Sequence, residues 1–254
     1  AELVIRWSQL GIFSPLFRNH SALGTRNQEP WAFDSATTDI IRDIIKFRYA
    51  LIPYIYSEYL KSIINSRCLI LPVSFVFDDP ILKNIEDQFM FGESIMAAPI
   101  YTPNSGGRYV TLPDVKWLCW KVKNFDDRDV SVYNPGSYFI NCELDETLTF
   151  VKENSIVVLM RPQNYVGEKK ITELLAVAFV TDRASYMYYD DDGETYDFQK
   201  GKFINLNIFI EKSDGDYEVY FNDEESAEYK NDIRTIKFEI YDENGRVFTK
   251  IISR

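Results

Sequence analysis

The clearest pattern in the chain is a helical repeat of apolar residues between Asp34 and Ile64. Asp34 or Ser35 precedes the repeat, and either side chain can accept a hydrogen bond from an N–H group of the first turn. Pro53 lies inside the repeat, where it removes one intrahelical hydrogen bond and crowds the carbonyl four residues earlier. The pattern predicts one long helix with a wide apolar face and a kink between Tyr49 and Pro53. The apolar positions are Ile40, Ile41, Ile44, Ile45, Phe47, Leu51, Ile52, Ile55, Tyr59, Leu60 and Ile63.

A shorter helical repeat opens the chain and predicts a helix over residues 2–10 that ends at Gly11. The apolar run that follows, Ile12–Phe17, predicts a short buried strand. Pro15 lies near its middle, and proline is tolerated in a sheet only where the ladder is locally broken. The apolar residues on one face of the predicted helix are Leu3, Trp7 and Leu10.

Beyond residue 69 the apolar runs become short, and turn residues separate them. Short strands with such breaks are typical of an antiparallel β-sandwich. The predicted strands are residues 69–77 and the runs FMFGESIMAAPIY, GRYVTLP, VKWLCWKV, SYFINCEL and TLTFVKENSIVVLM.

A polar stretch, Arg161–Lys170, reads as a linker to a second β region. Asp-Gly and Asn-Gly pairs at 192–193, 214–215 and 244–245 predict hairpin turns there, because both residue types tolerate positive φ. The predicted strands are ELLAVAFV, ASYMYYD, KFINLNIFI, YEVYF, TIKFEIYD and RVFTKII.

Three acidic clusters invite a functional interpretation. Asp78-Asp79 and Asp126-Asp127 offer paired carboxylates of the kind used in acid–base catalysis, but adjacent aspartates are also common in turns, the first pair here preceding a proline. The run DDDGE at residues 190–194 resembles part of a calcium loop but lacks the remaining ligand spacing. Turns are the favoured interpretation for all three.

Composition narrows the function classes. The 254 residues carry a formal net charge of -11, which argues against partners that demand clustered Lys and Arg, namely nucleic acid and anionic membranes. No window approaches the roughly 18 apolar residues of a membrane helix. Cys68, Cys119 and Cys142 form neither a disulfide framework nor a zinc motif, so a reducing cytoplasm is expected. Assembly into a homo-oligomer is left open.

Arg18, Asn19 and His20 form the candidate binding cluster, and His20 is the single histidine of the chain. Polar residues directly after a short strand are how a parallel α/β barrel presents binding groups. Imidazole, guanidinium and amide groups together suit a ligand rich in hydroxyls. The alternative is a histidine satisfied by backbone carbonyls, with Arg18 in a structural ion pair.

The ordered motifs ELVIRWSQLGIFSPLFRNHSALGTRNQEPWAF, FRYALIPYIYSEYL and DQFMFGESIMAAPIYT resemble the carboxyl-terminal half of glycoside hydrolase family 31, from Glu2 to Asn154. YYDDDGETYDF continues the likeness more faintly. The resemblance implies a mixed α and β fold, in which the last strand–helix units of a (β/α)8 TIM barrel are followed by two antiparallel β-sandwich domains. The implied divisions are residues 1–85 for the barrel end, 86–163 for a proximal β-sandwich and 164–254 for a distal one.

The resemblance also implies a function, that of the carboxyl-terminal portion of a retaining α-glycosidase, foremost an α-glucosidase acting on oligosaccharides or α-glucosides. His20 is then a substrate-binding residue, and Arg18 and Asn19 brace the pocket wall. Both catalytic aspartates of the family precede Ala1, so the chain opens as the cut end of a longer enzyme and is expected to be inactive without its amino-terminal part. No cofactor and no metal are implied.

Two alternatives accompany this interpretation. One is another family 31 activity, such as an α-xylosidase, transglycosylase, sulfoquinovosidase or α-glucan lyase. The other is a non-catalytic carbohydrate-binding β-sandwich, for which exposed aromatic residues would be needed. The aromatic candidates are Trp117, Trp120, Tyr186, Tyr188 and Tyr189. The family usually carries Trp-Tyr-Asp where this chain has Trp117-Leu118-Cys119-Trp120, a departure confined to the supporting sandwich.

Overall fold

A computed structural model of the chain describes residues 1–225, 229 and 232–253. Its α-helices lie before residue 65 and are α1 (Glu2–Gly11), α2 (Ser35–Ala50) and α3 (Ile52–Ile64). The carboxylate of Asp34 accepts a hydrogen bond from the Thr37 N–H at 2.8 Å, which confirms the predicted cap of α2. The predicted kink is also confirmed, because the long helix is interrupted at Leu51 and Pro53 lies in the first turn of α3. Within the described residues, no helix is long and apolar enough to cross a membrane.

The predicted strand Ile12–Phe17 is wrong. These residues continue from α1 as turns, in which Phe13 and Ser14 donate backbone hydrogen bonds to Leu10 and Gly11. A strand needs a neighbour to pair with, and no described strand pairs with this segment. Ile12 and Phe13 are nevertheless buried, as predicted.

Helix α1 buries a different face from the apolar one. Leu3 and Trp7 are exposed, whereas Ile5, Arg6 and Gln9 are buried. The buried side chains hold α1 against the proximal β region, where the Gln9 amide donates to the carbonyls of residues 144 and 146 at 2.9 and 2.8 Å. The apolar face is therefore left beside the segment that carries His20.

The proximal region contains eight strands within the described residues. A six-stranded antiparallel sheet has the order β1-β2-β3-β8-β5-β6, and the pair β4-β7 covers one of its faces. Strand β6 was not predicted, and none of its residues is fully buried, although Val130 and Val132 alternate with Ser131. The strands are β1 (Ile70–Pro72), β2 (Phe89–Phe91), β3 (Ile95–Ala97), β4 (Gly107–Leu112), β5 (Trp117–Val122), β6 (Arg128–Tyr133), β7 (Gly136–Asn141) and β8 (Thr147–Lys152).

Two cores lie on opposite sides of the six-stranded sheet. On one side Val110 and Ile140 of the β4-β7 pair meet Trp117 and Phe150. On the other side the helices pack against the sheet, and the ring of Phe47 meets that of Trp120 edge to face at 5.4 Å. Burial on both faces explains why β5 is almost continuously apolar.

The distal region contains all six strands predicted for it. A four-stranded sheet of order β15-β14-β10-β9 shares its core with a three-stranded sheet of order β11-β12-β13. The pair β10-β14 is parallel, and the other pairs are antiparallel. The strands are β9 (Ser155–Leu159), β10 (Glu173–Phe179), β11 (Arg183–Asp190), β12 (Ile204–Ser213), β13 (Asp216–Glu225), β14 (Thr235–Tyr241) and β15 (Val247–Ser253).

The predicted turns have two outcomes. Asp214 and Gly215 both have positive φ, 47° and 84°, and close a tight β12-β13 hairpin as predicted. Asp192-Gly193 does not close a tight hairpin, because residues 191–203 form a longer connection between β11 and β12. The domain boundaries 1–85, 86–163 and 164–254 stay predictions, and the last range includes residues outside those described. Strand β9 lies before the predicted boundary at residue 163, but it pairs with β10, which lies after that boundary.

Candidate functional site

Arg18, Asn19 and His20 lie in an extended, exposed segment that follows the turns after α1. They line an open surface cavity of about 470 Å³ together with the exposed apolar face of α1. Trp7 and Phe33 contribute aromatic wall to this cavity, which we call the His20 cavity. The sequence signal for Trp7 was its place on the apolar face of the first helix.

Contacts with α2 fix the segment that leads into the cluster. The guanidinium of Arg48 donates to the carbonyls of Ile12 and Pro15, the latter at 3.2 Å. Burial lowers the pKa of Arg48, which shows that this cation is drawn out of bulk water to make these contacts. The carbonyl of Pro15 thus has a hydrogen-bond partner, Arg48, although no described strand pairs with this segment.

Asn19 closes the loop that follows. Its amide donates to the backbone carbonyl of Gln28 at 2.7 Å, across nine residues of chain. Thr38 of α2 donates to the carbonyl of Pro30 at 2.9 Å and holds the end of the same loop. The Asn19 side chain is therefore occupied with backbone, whereas the neighbouring imidazole faces the cavity.

The contact between Arg18 and His20 selects one form of the imidazole. The Nη2 atom of Arg18 lies 2.8 Å from Nδ1 of His20. A guanidinium can only donate, so Nδ1 accepts and the ring proton of a neutral imidazole resides on Nε2. His20 consequently offers an Nε2–H donor to a ligand in the cavity.

The lining of the His20 cavity suits a ligand rich in hydroxyls. It combines the imidazole, Arg18, Arg26 and Gln28 with aromatic surface. Of the described residues that line it, none carries a carboxyl side chain. These residues can bind and orient a sugar, but they cannot provide the two carboxyl groups that glycoside hydrolysis requires.

The acidic clusters are structural, as favoured from the sequence. Asp79 accepts from the Ile81 N–H at 2.9 Å and caps a short 3-10 helix, while Asn124 accepts from the N–H groups of Asp126 and Asp127 at 3.0 Å. Asp191 accepts hydrogen bonds from two tyrosine hydroxyls and the Gly193 N–H. Among the residues described, no group of His, Cys, Asp and Glu side chains is placed to hold a metal ion.

The aromatic residues proposed for a sugar-binding sheet face are core residues. Trp117 and Trp120 are 0% and 1% exposed, so neither can stack on a ligand. The three tyrosines of β11 are buried as well. These five side chains are therefore core residues, because other elements pack on both faces of β5 and of β11.

Comparison with known proteins agrees with the fold and the motifs. Residues 1–58 match the model of the Glycosyl hydrolases family 31 TIM-barrel domain, and residues 67–157 match that of the family 31 C-terminal domain. The first match contains Arg18, Asn19 and His20.

Individual relatives point the same way. The chain is 31% identical to alpha-glucosidase 2 of Bacillus thermoamyloliquefaciens over 85% of its own length and 28% of that enzyme. It is 29% identical to a 1,6-alpha-glucosyltransferase of Sporosarcina globispora, over 82% of the chain and 16% of that protein. The chain thus spans less than a third of these relatives.

Among solved structures, a dextranase of Flavobacterium johnsoniae has the same fold, with a TM-score of 0.84 at 24% identity over 94% of this chain and 29% of that one. This likeness confirms the predicted fold class of a barrel end followed by β-sandwich domains. With two matched family domains in the expected order, the chain belongs to glycoside hydrolase family 31.

Proposed function

We propose that this chain is the carboxyl-terminal portion of a retaining α-glycosidase, foremost an α-glucosidase that releases terminal α-linked glucose from oligosaccharides. The observation that carries the proposal is the hydrogen bond from Arg18 to Nδ1 of His20, inside the match to the family's barrel domain. It directs an Nε2–H donor into an open cavity whose wall is aromatic on one side.

In this function His20 donates a hydrogen bond to a hydroxyl of the sugar at the cleaved bond. Hydrogen bonds to sugar hydroxyls that strengthen as the ring gains oxocarbenium character lower the barrier rather than merely tighten binding. Arg18 positions His20 by holding its tautomer, and Asn19 braces the loop. The nucleophile and the acid/base are aspartates outside this chain, in agreement with a cavity lining without carboxyl side chains.

The first test uses the 254-residue chain with an aryl α-glucoside. We expect no turnover, because the two reacting carboxyl groups are supplied by residues outside this chain. Turnover at enzyme-like rates would contradict the proposal.

The second test uses the complete enzyme that contains this chain. His20→Ala should lower kcat/KM about 10- to 100-fold, the loss of one hydrogen bond that strengthens in the transition state. His20→Gln places an amide donor near the former Nε2 and should recover part of the loss. Equal kcat/KM for wild type and His20→Ala would refute the assigned role.

The runner-up is glucosyl transfer, which the similarity to a 1,6-alpha-glucosyltransferase favours. Hydrolysis and transfer share the same glycosyl intermediate and differ in whether water or a sugar hydroxyl accepts it. Product analysis with maltose distinguishes them, since transfer yields longer oligosaccharides in addition to glucose. Activity on an α-xyloside instead of an α-glucoside would move the enzyme to the α-xylosidase alternative.

We also propose that the enzyme works in a reducing compartment, the cytoplasm. Cys68, Cys119 and Cys142 are free thiols. Burial raises the pKa of both Cys119 and Cys142 to about 12, so neither is a reactive thiolate near neutral pH. Titration of three thiols in the native source protein without added reductant would support this, and a disulfide would oppose it.

A further inference from the structure

A second open cavity, of about 370 Å³, lies beside the free edge of strand β4. It is bounded by that edge, by residues 85–88 and by residues 100–105. The residues described as lining it do not overlap with those of the His20 cavity. We call it the Tyr109 cavity, and nothing in the proposed reaction uses it.

Its rim carries three large aromatic side chains that face solvent. Tyr101, Tyr109 and Phe139 are 67%, 74% and 51% exposed. Tyr109 and Phe139 are direct cross-strand partners on the outer face of β4 and β7, with ring centroids 5.3 Å apart. Aromatic side chains concentrated on one exposed rim mark a binding surface more often than scattered ones do.

The floor of the cavity is rigid, because its polar side chains are tied to backbone. Gln88 is buried and bonds both polar atoms of Thr111, accepting from the N–H at 2.9 Å and donating to the carbonyl at 2.8 Å. Arg108, also buried, donates to the carbonyls of Asp87 and Pro99 at 2.9 and 2.7 Å. Its guanidinium lies 5.2 Å from the ring centroid of Tyr101 and so supports that ring from below.

The charges of the cavity cancel within it. Of the described lining residues, Asp87 and Arg108 are the charged ones, and they form an ion pair at 2.6 Å. The Asp87 carboxylate is one-third exposed and also bonds the Tyr101 hydroxyl, which raises the pKa of that phenol. Carboxylate lone pairs and the hydroxyl of Thr102 remain to face a ligand, whereas the Thr111 hydroxyl lies 3.2 Å from that of Ser137.

This combination selects a ligand that is neutral, flat on one side and rich in hydroxyls. A pyranose ring presents a face of C–H groups to an aromatic side chain and hydroxyls at its edge to a carboxylate. An anionic or cationic ligand gains no unpaired counter-charge here, and a cavity of this volume falls within the range of small-molecule sites.

We propose that the Tyr109 cavity is an oligosaccharide-binding site, in which Tyr101 and Tyr109 stack on sugar rings and Asp87 accepts hydrogen bonds from their hydroxyls. The site goes beyond the proposed function, because it holds sugar without cleaving it. It would retain a polymeric or branched substrate on the enzyme between catalytic events.

The test is isothermal titration of the 254-residue chain with maltoheptaose, isomaltoheptaose and a xyloglucan heptasaccharide. We expect at least one to bind, and Tyr109→Ala and Tyr101→Ala each to weaken that binding about tenfold, the loss of one stacking contact. Tyr196→Ala is the matched control, since Tyr196 is equally exposed at 77% and also packs beside a phenylalanine. It should bind like wild type.

Two further arms make the result decisive. His20→Ala should leave this binding unchanged, which separates the Tyr109 cavity from the His20 cavity and keeps this test independent of the proposed reaction. The proposal is overturned if none of the three oligosaccharides binds, if binding survives both tyrosine replacements, or if it is lost with His20→Ala. Sedimentation showing a dimer that Tyr109→Ala dissociates would instead make the rim an interface between copies of the chain.

Discussion

Replacing Glu58 by leucine tests how helix α3 is held against both β regions. The Glu58 side chain is 2% exposed and forms an ion pair with Lys61, one turn along the helix. Its other oxygen accepts from the Glu93 N–H at 2.8 Å, in the turn between β2 and β3. The ammonium of Lys61 lies 4.1 Å from the ring centroid of Tyr186 on β11. One carboxylate thus links α3 to the proximal sheet directly and to the distal sheets through its partner.

The expected loss of stability follows from the Lys61 charge, which Glu58→Leu leaves buried. Removing one partner of a buried pair typically costs about 3–5 kcal/mol, because the other charge stays buried. Glu93 lies 3.8 Å from Lys61 and is half exposed, so it compensates in part and places Glu58→Leu near about 3 kcal/mol. With a urea dependence of about 3 kcal/mol per molar for a chain of this size, the unfolding midpoint should fall by about 1 M.

The double variant Glu58→Leu/Lys61→Met sharpens the test. Burial raises the pKa of Glu58 in spite of the lowering by Lys61, so the pair does not fully offset its own desolvation. Removing both charges should therefore bring stability back to within about 1 kcal/mol of wild type, the remainder being the lost hydrogen bond to Glu93.

Urea unfolding followed by tryptophan fluorescence measures both variants. The matched control is Asp39→Leu, which breaks an ion pair with Arg42 at the same i,i+3 spacing but on an exposed face of α2, and should leave the midpoint unchanged. A double variant less stable than Glu58→Leu alone would refute the reasoning.

Three further predictions concern the scaffold. Gly92 has a φ of 65°, a left-handed conformation that costs an alanine roughly 1–2 kcal/mol. Gly92→Ala should destabilise the chain by more than this, because the new Cβ would also lie 2.5 Å from Glu58 Oε2. The urea midpoint measures the loss. Trp120→Ala should cost about 3–5 kcal/mol in the same assay, since the buried ring packs on Phe47. Burial raises the pKa of Asp190 to about 7, so the folded state holds its proton more tightly than the unfolded state, and the contribution of Asp190 to stability falls as pH rises from about 4 to about 7. Asp190→Asn, which mimics the protonated form, should match wild type in thermal midpoint near pH 4 and exceed it near pH 8, and equal midpoints at both would contradict the assignment.

Several features of the fold can be predicted from short stretches of sequence. The cap at Asp34, the interruption at Pro53 and the hairpin at Asp214-Gly215 depend on the chemistry of a few adjacent residues, and all three are confirmed. Among the distal strands, β12 and β14 alternate between buried and less buried residues, because one face of each is covered. Family membership came from motif order rather than from any one residue.

Other features depend on partners that a linear pattern does not contain. Residues 12–17 read as a strand, but pairing needs a neighbour, and Arg48 satisfies their carbonyls instead. Strand β6 has no fully buried residue, and its short alternating run closely follows the acidic turn at Asp126-Asp127. The parallel pairing of β10 with β14 joins residues some sixty positions apart.

The candidate sites also combine residues that the sequence predicts with features that only the structure shows. His20 could be chosen from its motif, but the hydrogen bond that fixes its tautomer required coordinates. Trp117 was considered for sugar binding and proved buried, whereas Tyr109 and Phe139 were not considered and proved exposed. Alternate residues of a strand lie on opposite faces, but this alternation does not show which face is covered by another layer.

The position of β10 in its sheet has a consequence for biosynthesis. It lies between β9 and β14, and β14 pairs in turn with β15. While a ribosome is still making residues 235–253, the nascent polypeptide presents one edge of β10 with unpaired backbone groups, a template for pairing with neighbouring chains. Completion of the sheet thus waits until residues 235–253 have been made, and premature stops before residue 235 should yield insoluble protein rather than a shortened folded one.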